Sequence, residues 1–152
     1  AMSALKRLAS EAKAARQNPD PDITLEQSDS IDVWHATVRG PADSPYDGGI
    51  FRLRLNVPTN YPMAPPTVTF LTKCFHPNVE FNTGELCLDI LKTEWSPAWT
   101  LQFVCRAVVN LLHEPNADSP LNCDAGNLIR NGDMKGFTSM ARMYTVEYAL
   151  PS

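Results

Sequence analysis

The chain has 152 residues, 43% of them hydrophobic and 20% charged, with a formal net charge of −4. This length favours one domain around one core, and the composition is that of an ordinary soluble globular protein. The acidic balance leaves no basic footprint for nucleic acid, and no apolar run approaches the roughly 20 residues that would insert directly into a membrane. The N-terminal segment is polar and alanine-rich, without the pattern of a secretory signal, and Ala1 ahead of Met2 reads as a remnant of expression. Four widely spaced cysteines, Cys74, Cys87, Cys105 and Cys123, fit reduced thiols in a reducing compartment. A zinc site is the rival reading. It lacks the paired Cys-x-x-Cys spacing of such sites, Cys74-Phe75-His76 being the only close grouping, so neither a metal nor a cofactor is expected.

In chain order, Ser3 to Arg16 places Leu5, Leu8, Ala9, Ala12 and Ala15 on one face of an amphipathic helix. Asn18-Pro19-Asp20-Pro21 ends it, since proline disfavours helix at and before itself. Four strands are expected at Ile23–Gln27, Val33–Arg39, Ile50–Val57 and Thr67–Leu71, separated by turn-rich segments such as Gly40–Pro45 and Asp47-Gly48-Gly49. Phe51, Leu53, Leu55 and Val57 alternate with Arg52, Arg54 and Asn56, the pattern of a half-buried antiparallel strand, and the short connections favour a meander. After an irregular stretch from Leu71 to Thr100, the residues Leu101, Val104, Cys105, Val108, Leu111 and Leu112 form a helical stripe with Thr100 as N-cap. Pro115 stops that helix. Two more follow, one over Leu121–Arg130 and one whose face carries Phe137, Met140, Ala141, Tyr144 and Tyr148. The fold class is α+β.

An irregular stretch of about thirty residues inside a compact domain is usually functional. It contains His76-Pro77-Asn78, then Gly84-Glu85-Leu86-Cys87-Leu88-Asp89-Ile90-Leu91, then Trp95-Ser96-Pro97. A lone cysteine is more often a small buried hydrophobe. As a thiolate, however, Cys87 is both a good nucleophile and a good leaving group, suited to accepting an acyl group and giving it up. No triad histidine is obviously placed, which favours transfer over hydrolysis. Asn78 offers an amide N–H to an oxyanion; such a donor is typically worth roughly 2.7–4 kcal/mol of transition-state energy. Its bland alternative is a turn asparagine after proline. His76 reads as a neutral imidazole that fixes the turn with Pro77.

In these three motifs, taken in order, the chain resembles the ubiquitin-conjugating enzymes. The resemblance covers Ala4 to Leu150 and implies that family's fold, with an N-terminal helix, a four-stranded antiparallel meander, an irregular active-site region and C-terminal helices. Residues 3–150 are then a single catalytic core domain. The resemblance further implies an ATP-dependent pathway in which Cys87 takes ubiquitin from the activating enzyme as a thioester. A ligase of the RING type then helps pass it to a substrate lysine or cysteine. Asp89 and Ser119 match positions flanking the cysteine; many relatives carry Asp where Ser119 stands, and Asp118 is the adjacent carboxylate. Lys6, Arg7, Met63, Ser96, Pro97 and Ala98 match surfaces that dock ligases and the activating enzyme, although helix lysines and arginines are commonly just solvated.

Asn78 and Cys87 are nine residues apart, one more than in most of the family, and the peroxisomal members resemble the chain in this longer loop. They also resemble it in Thr93–Leu101 and in Asp118–Leu128. That implies a cytoplasmic enzyme recruited to the peroxisomal membrane surface by a membrane-anchored peroxin, there to modify the import receptor. The chain shows neither a lipidation motif nor a C-terminal Ser-Lys-Leu address. Service in another pathway, or for another ubiquitin-like modifier, stays open. A non-catalytic ubiquitin-binding variant would lack the cysteine that is present here.

Overall fold

The computed structural model describes residues 2–151; Ala1 lies outside the described residues. Alternation in the sequence builds a sheet with one dry face. Strands β1 (Ile23–Gln27), β2 (Val33–Arg39), β3 (Ile50–Asn56) and β4 (Thr67–Phe70) pair in that order, every neighbour antiparallel. Phe51, Leu53 and Leu55 of β3 are buried, while Arg52 and Arg54 between them face solvent. Trp34, Ala36 and Val38 of β2 stand opposite Leu55, Leu53 and Phe51 and share the buried face. Burying each large apolar side chain of this kind contributes about 1.5–3 kcal/mol. Two strands stop one residue earlier than the pattern predicts. The amides of Val57 and Leu71 are given instead to Asp32 O (2.8 Å) and Arg52 O (2.8 Å), outside the ladder proper.

Helix α1 (Met2–Gln17) precedes the sheet; α2 (Leu101–His113), α3 (Cys123–Arg130) and α4 (Met134–Tyr148) follow it. The stripe of α2 is buried from Leu101 to Leu112 and includes Cys105, whose thiol burial pushes up to about 12. Thr100 Oγ1 caps this helix by accepting from Phe103 N at 3.1 Å. Helix α3 starts at Cys123 rather than Leu121. The amides of Leu121 and Asn122 are committed to Pro77 O, and the Asn122 side chain caps the helix by accepting from Ala125 N. On α4, Phe137, Ala141 and Thr145 are buried, while Tyr148 stays partly exposed and stacks on Tyr144 at 6.1 Å.

The face of α1 differs from the predicted one. Leu5 and Ala9 turn outward, and Ala4 and Leu8 are buried with Glu11, Ala12 and Ala15 alongside. A carboxylate was an unlikely inward residue, but Glu11 is fully partnered. Its Oε2 accepts from Arg7 Nε (2.8 Å) and from the Tyr61 hydroxyl (2.5 Å), and its Oε1 accepts from Leu101 N (2.7 Å). The last contact meets an otherwise orphaned amide at the positive end of α2, where an anion is favoured. One side chain therefore joins α1, the 61–66 loop and the start of α2.

Replacing Glu11 removes the acceptor of the Tyr61 hydroxyl, of Arg7 Nε and of a helix-end amide together. Glu11→Ala is predicted to lower stability by about 2–4 kcal/mol, read as a shift of the urea midpoint. Glu11→Gln, which keeps an acceptor oxygen, should cost less.

Candidate active site

The site is organised by four consecutive residues of the irregular segment. Phe75 O accepts from the buried Tyr46 hydroxyl at 2.6 Å. His76 is fully buried; its Nε2 lies 2.7 Å from Leu111 O of α2, and its Nδ1 accepts from Asn78 N at 3.0 Å. Since a carbonyl can only accept, the proton resides on Nε2 and the ring is neutral. Burial drives its pKa down to about 4 against an ordinary 6.5, and the bond to Leu111 only partly offsets this. Pro77 O accepts from both Leu121 N (2.8 Å) and Asn122 N (3.1 Å). The buried Asn78 amide makes a reciprocal pair with the backbone of Asn116: Nδ2 donates to Asn116 O (2.8 Å), and Oδ1 accepts from Asn116 N (2.9 Å). An amide nitrogen has two protons, so one remains beyond this pair.

The chain then turns back to deliver Cys87. Glu80 N donates to Glu85 O and Cys87 N to Asn78 O at 2.9 Å, with bridges pairing Val79 to Leu86 and Thr69 to Glu85. In the turn of this loop the Glu80 carboxylate accepts from Thr83 N and is held below its usual pKa chiefly by that bond. Gly84 is required here. Its φ is 78°, and a Cβ would sit 1.9 Å from Phe70 O. The bond from Cys87 N to Asn78 O thus links the two ends of this loop.

Cys87 is half-buried, and beyond it a single 3-10 turn, Asp89–Leu91, reverses the chain. Lys92 Nζ thereby lies 3.8 Å from Cys87 Sγ. A cleft of about 530 Å³ brings together Cys87, Asn78, Asp89 and Ser119, with Asp118 and Glu94 also on its walls. Ser119 has φ 58°, a left-handed conformation uncommon for a side-chain-bearing residue, and directly precedes proline. It is followed by Pro120, which packs so closely on Gly126 that a Cβ there would lie 2.5 Å from Pro120 Cγ, and by Leu121 and Asn122, whose amides both bond to Pro77 O.

Cys74 and Cys105 are buried, the Cys74 thiol pushed far up by burial; Cys123 is exposed at the start of α3 and does not line the cleft. Away from the cleft, Lys6, Met63, Pro97 and Ala98 are exposed and Ser96 partly so. Trp95 Nε1 donates to Pro62 O at 2.8 Å, tying the Met63 loop to the Ser96–Ala98 loop. Arg7 is not free: besides Glu11 it donates to Trp99 O at 2.8 Å. Sequence reasoning missed Glu11, Lys92, Glu94 and the role of the Asn116 backbone. Lys92 alone carried a signal, as the amine ending the Cys-Leu-Asp-Ile-Leu-Lys run.

A family model described as ubiquitin-conjugating enzyme matches residues 7–145. The chain belongs to the ubiquitin-conjugating enzyme family. Among its relatives, Protein PEROXIN-4 of Arabidopsis thaliana is 60% identical over 133 residues, 87% of this chain and 85% of the relative. Ubiquitin-conjugating enzyme E2 pex4 of Dictyostelium discoideum is 57% identical over 144 residues, 93% and 97% of the two chains. Ubiquitin-conjugating enzyme E2 16 of Schizosaccharomyces pombe is 45% identical over 129 residues, 84% and 81%. As a ubiquitin-conjugating enzyme, the protein works with ubiquitin, a ubiquitin-activating enzyme and ubiquitin ligases.

The buried ring of His76 makes folding pH-dependent. Its folded pKa, near 4, lies below the 6.5 of the free group, so between those values the unfolded chain binds the extra proton. Stability should hold as pH falls to about 6.5 and then decline toward pH 4, with a slope approaching about 1.4 kcal/mol per pH unit. Urea titrations across pH check this. In His76→Gln that segment of the slope should vanish, whatever the variant's absolute stability.

Proposed function

We propose that residues 3–150 act as one catalytic unit in which Cys87 carries ubiquitin as a thioester. The observation that supports this is the position of the thiol, half-exposed at a cleft walled by Asn78 and three carboxylates, where the other cysteines are buried or elsewhere. The Cys87 thiolate attacks the thioester carbonyl presented by the activating enzyme; a new C–S bond forms and the activating enzyme's thiolate leaves. An acceptor lysine or cysteine, brought by a ligase of the RING type, then attacks the same carbonyl; a new C–N or C–S bond forms, the bond to Cys87 Sγ breaks and the Cys87 thiolate leaves. Asn78 serves twice: its pair with Asn116 holds the cleft together, and its second amide proton meets the oxyanion. Asp89, Asp118 and Ser119 flank the approaching acceptor, orienting an ammonium before it loses its proton.

Lys6, Met63, Ser96, Pro97 and Ala98 form the docking surface for ligase and activating enzyme. Arg7 shapes that surface from below through Glu11 and Trp99. The likeness to the Arabidopsis and Dictyostelium proteins supports service at the peroxisome. No helix among the described residues is long and apolar enough to cross a membrane. A membrane-anchored peroxin then supplies the attachment, and the import receptor is the substrate.

With activating enzyme, ATP and ubiquitin, the protein should form an adduct that reductant removes and that is absent in Cys87→Ala. Cys87→Ser should give a more persistent oxyester, an alkoxide being the poorer leaving group. An adduct that persists in Cys87→Ala would end this reading.

Asn78→Ala should slow discharge to free lysine by about 10²–10³-fold while slowing charging much less. Equal loss in both steps, or loss of folded protein by circular dichroism, would leave the residue only its bolting role.

Cells lacking the protein should mislocalise peroxisomal matrix enzymes to the cytosol and lose reductant-sensitive ubiquitin on the import receptor. Normal import would remove the peroxisomal assignment and leave the transferase intact.

A further inference from the structure

A second recess lies apart from Cys87, between α1 and the outer edge of the sheet. This groove of about 560 Å³ is walled by the C-terminal half of α1, all of β1 and the first residues of α2, and it shares no residue with the cleft. Its volume is that of a ligand site. Trp34 of β2 also lines it and is only 6% exposed, yet its indole Nε1 has no acceptor. Among the described residues it is the one buried side-chain nitrogen or oxygen left unbonded. Buried donors are nearly always paired, because an unmade bond costs more than a made one gains.

The strand that walls this groove has backbone groups to spare. β1 is the outermost strand and pairs on one side only, with β2. The bonds from Arg39 N to Asp22 O (2.9 Å) and from Ser28 N to Val33 O (3.1 Å) fix the phase of that ladder. Asp22, Thr24, Glu26 and Ser28 therefore turn their backbone groups toward β2, and Ile23, Leu25 and Gln27 turn theirs outward. Ile23 N is taken by Asp20 O at 3.2 Å, while the N–H and C=O of Leu25 and Gln27 have no partner among the described residues. Ile23, Leu25 and Gln27 stand opposite Val38, Ala36 and Trp34, so their side chains share the face of the orphaned indole. Ala12 and Ala15 of α1 add apolar wall. Arg16, the one cation lining the groove, makes no ion pair among the described residues.

We propose that this groove binds an extended segment of a partner polypeptide, which joins the four-stranded sheet as a further strand beside β1. An open edge with unused backbone groups is a template for such pairing. The backbone of the segment bonds to the outward N–H and C=O of Leu25 and Gln27, and its alternate side chains enter the groove against Ala12, Ala15, Ile23 and Leu25. One inward side chain is an uncharged acceptor, Asn, Gln, Ser or Thr, that meets Trp34 Nε1; a carboxylate is too costly to bury there. An acidic residue outside the paired stretch meets Arg16 and completes the charge match. A small molecule that satisfied the indole would leave the alternating groups of the strand edge unmet. Because groove and cleft share no lining residue, the segment tethers the enzyme to its partner while Cys87 stays open.

The test pans a phage-displayed heptapeptide library against the immobilised full chain, then titrates synthetic copies of the selected peptides into isotope-labelled protein. Selected peptides should alternate apolar and polar residues, carry an uncharged acceptor at an inward position, and shift the Trp34 indole N–H resonance downfield. With peptide bound, the amides of Leu25 and Gln27 should exchange with solvent about tenfold more slowly or slower still. Trp34→Phe keeps the apolar body and removes the donor, and should bind about three- to tenfold more weakly. Two peptide analogues, each methylated on one set of alternate amide nitrogens, probe the strand pairing with the protein unchanged. The analogue methylated on the amides that face β1 should lose binding, and the other should keep it. The proposal is overturned if panning yields no binder, if bound peptides protect neither Leu25 nor Gln27, or if the two methylated analogues bind equally. An indole resonance that no selected peptide moves, or undiminished binding by Trp34→Phe, also overturns it and leaves water or a small molecule as the partner of Trp34.

Discussion

The turn His76-Pro77-Asn78 is the constraint on which the site depends, because each of its residues fastens a different segment. His76 reaches the C-terminal part of α2 through Leu111, Pro77 receives the chain entering α3, and Asn78 holds both the Cys87 backbone and the 116–119 loop. These bonds are buried or partly buried, where an unmade one costs far more than a made one gains. The neutrality of His76 belongs to the same logic. A charged ring could not accept from Asn78 N while donating to Leu111 O, so the turn holds one geometry only when the imidazole is uncharged.

A second fastening lies at the other end of α2. Glu11 gathers α1, Tyr61 and the first amide of α2, and Arg7 and Trp95 extend that junction to the loops carrying Met63 and Ser96–Ala98. Helix α2 is thus pinned near both ends, at its start by Glu11 and toward its C-terminal end by His76. Between them its apolar stripe packs against β1 and β2 of the sheet.

The cleft residues show the opposite character. Asp89, Asp118 and Ser119 are exposed, and the left-handed backbone at Ser119 is tolerated because its neighbours are tied down on both sides. Buried bonds thus lie beneath the cleft and solvated groups above it. The Tyr46 hydroxyl on Phe75 O and the close contact of Gly126 with Pro120 serve the same end from below.

The sequence by itself determined the α+β class, the antiparallel meander and the stripe of α2, because those follow from periodicities of two and 3.6 that depend only on near neighbours. It also singled out Cys87 and the His-Pro-Asn turn as candidates, through three motifs whose order resembles that of a known family. It misjudged the face of α1, where an inward carboxylate defeats any reading by hydrophobicity, and the start of α3, where Pro77 takes the first two amides. The pairing of Asn78 with Asn116, the junction at Glu11 and the closeness of Lys92 to Cys87 were decided by tertiary structure alone. Asn78 and Asn116 are 38 residues apart, Glu11 and Leu101 are 90, and backbone atoms that serve as partners leave no residue type to recognise. Even the short step from Cys87 to Lys92 needs the reversal of one turn, which the three-dimensional packing of that segment fixes and no spacing rule contains.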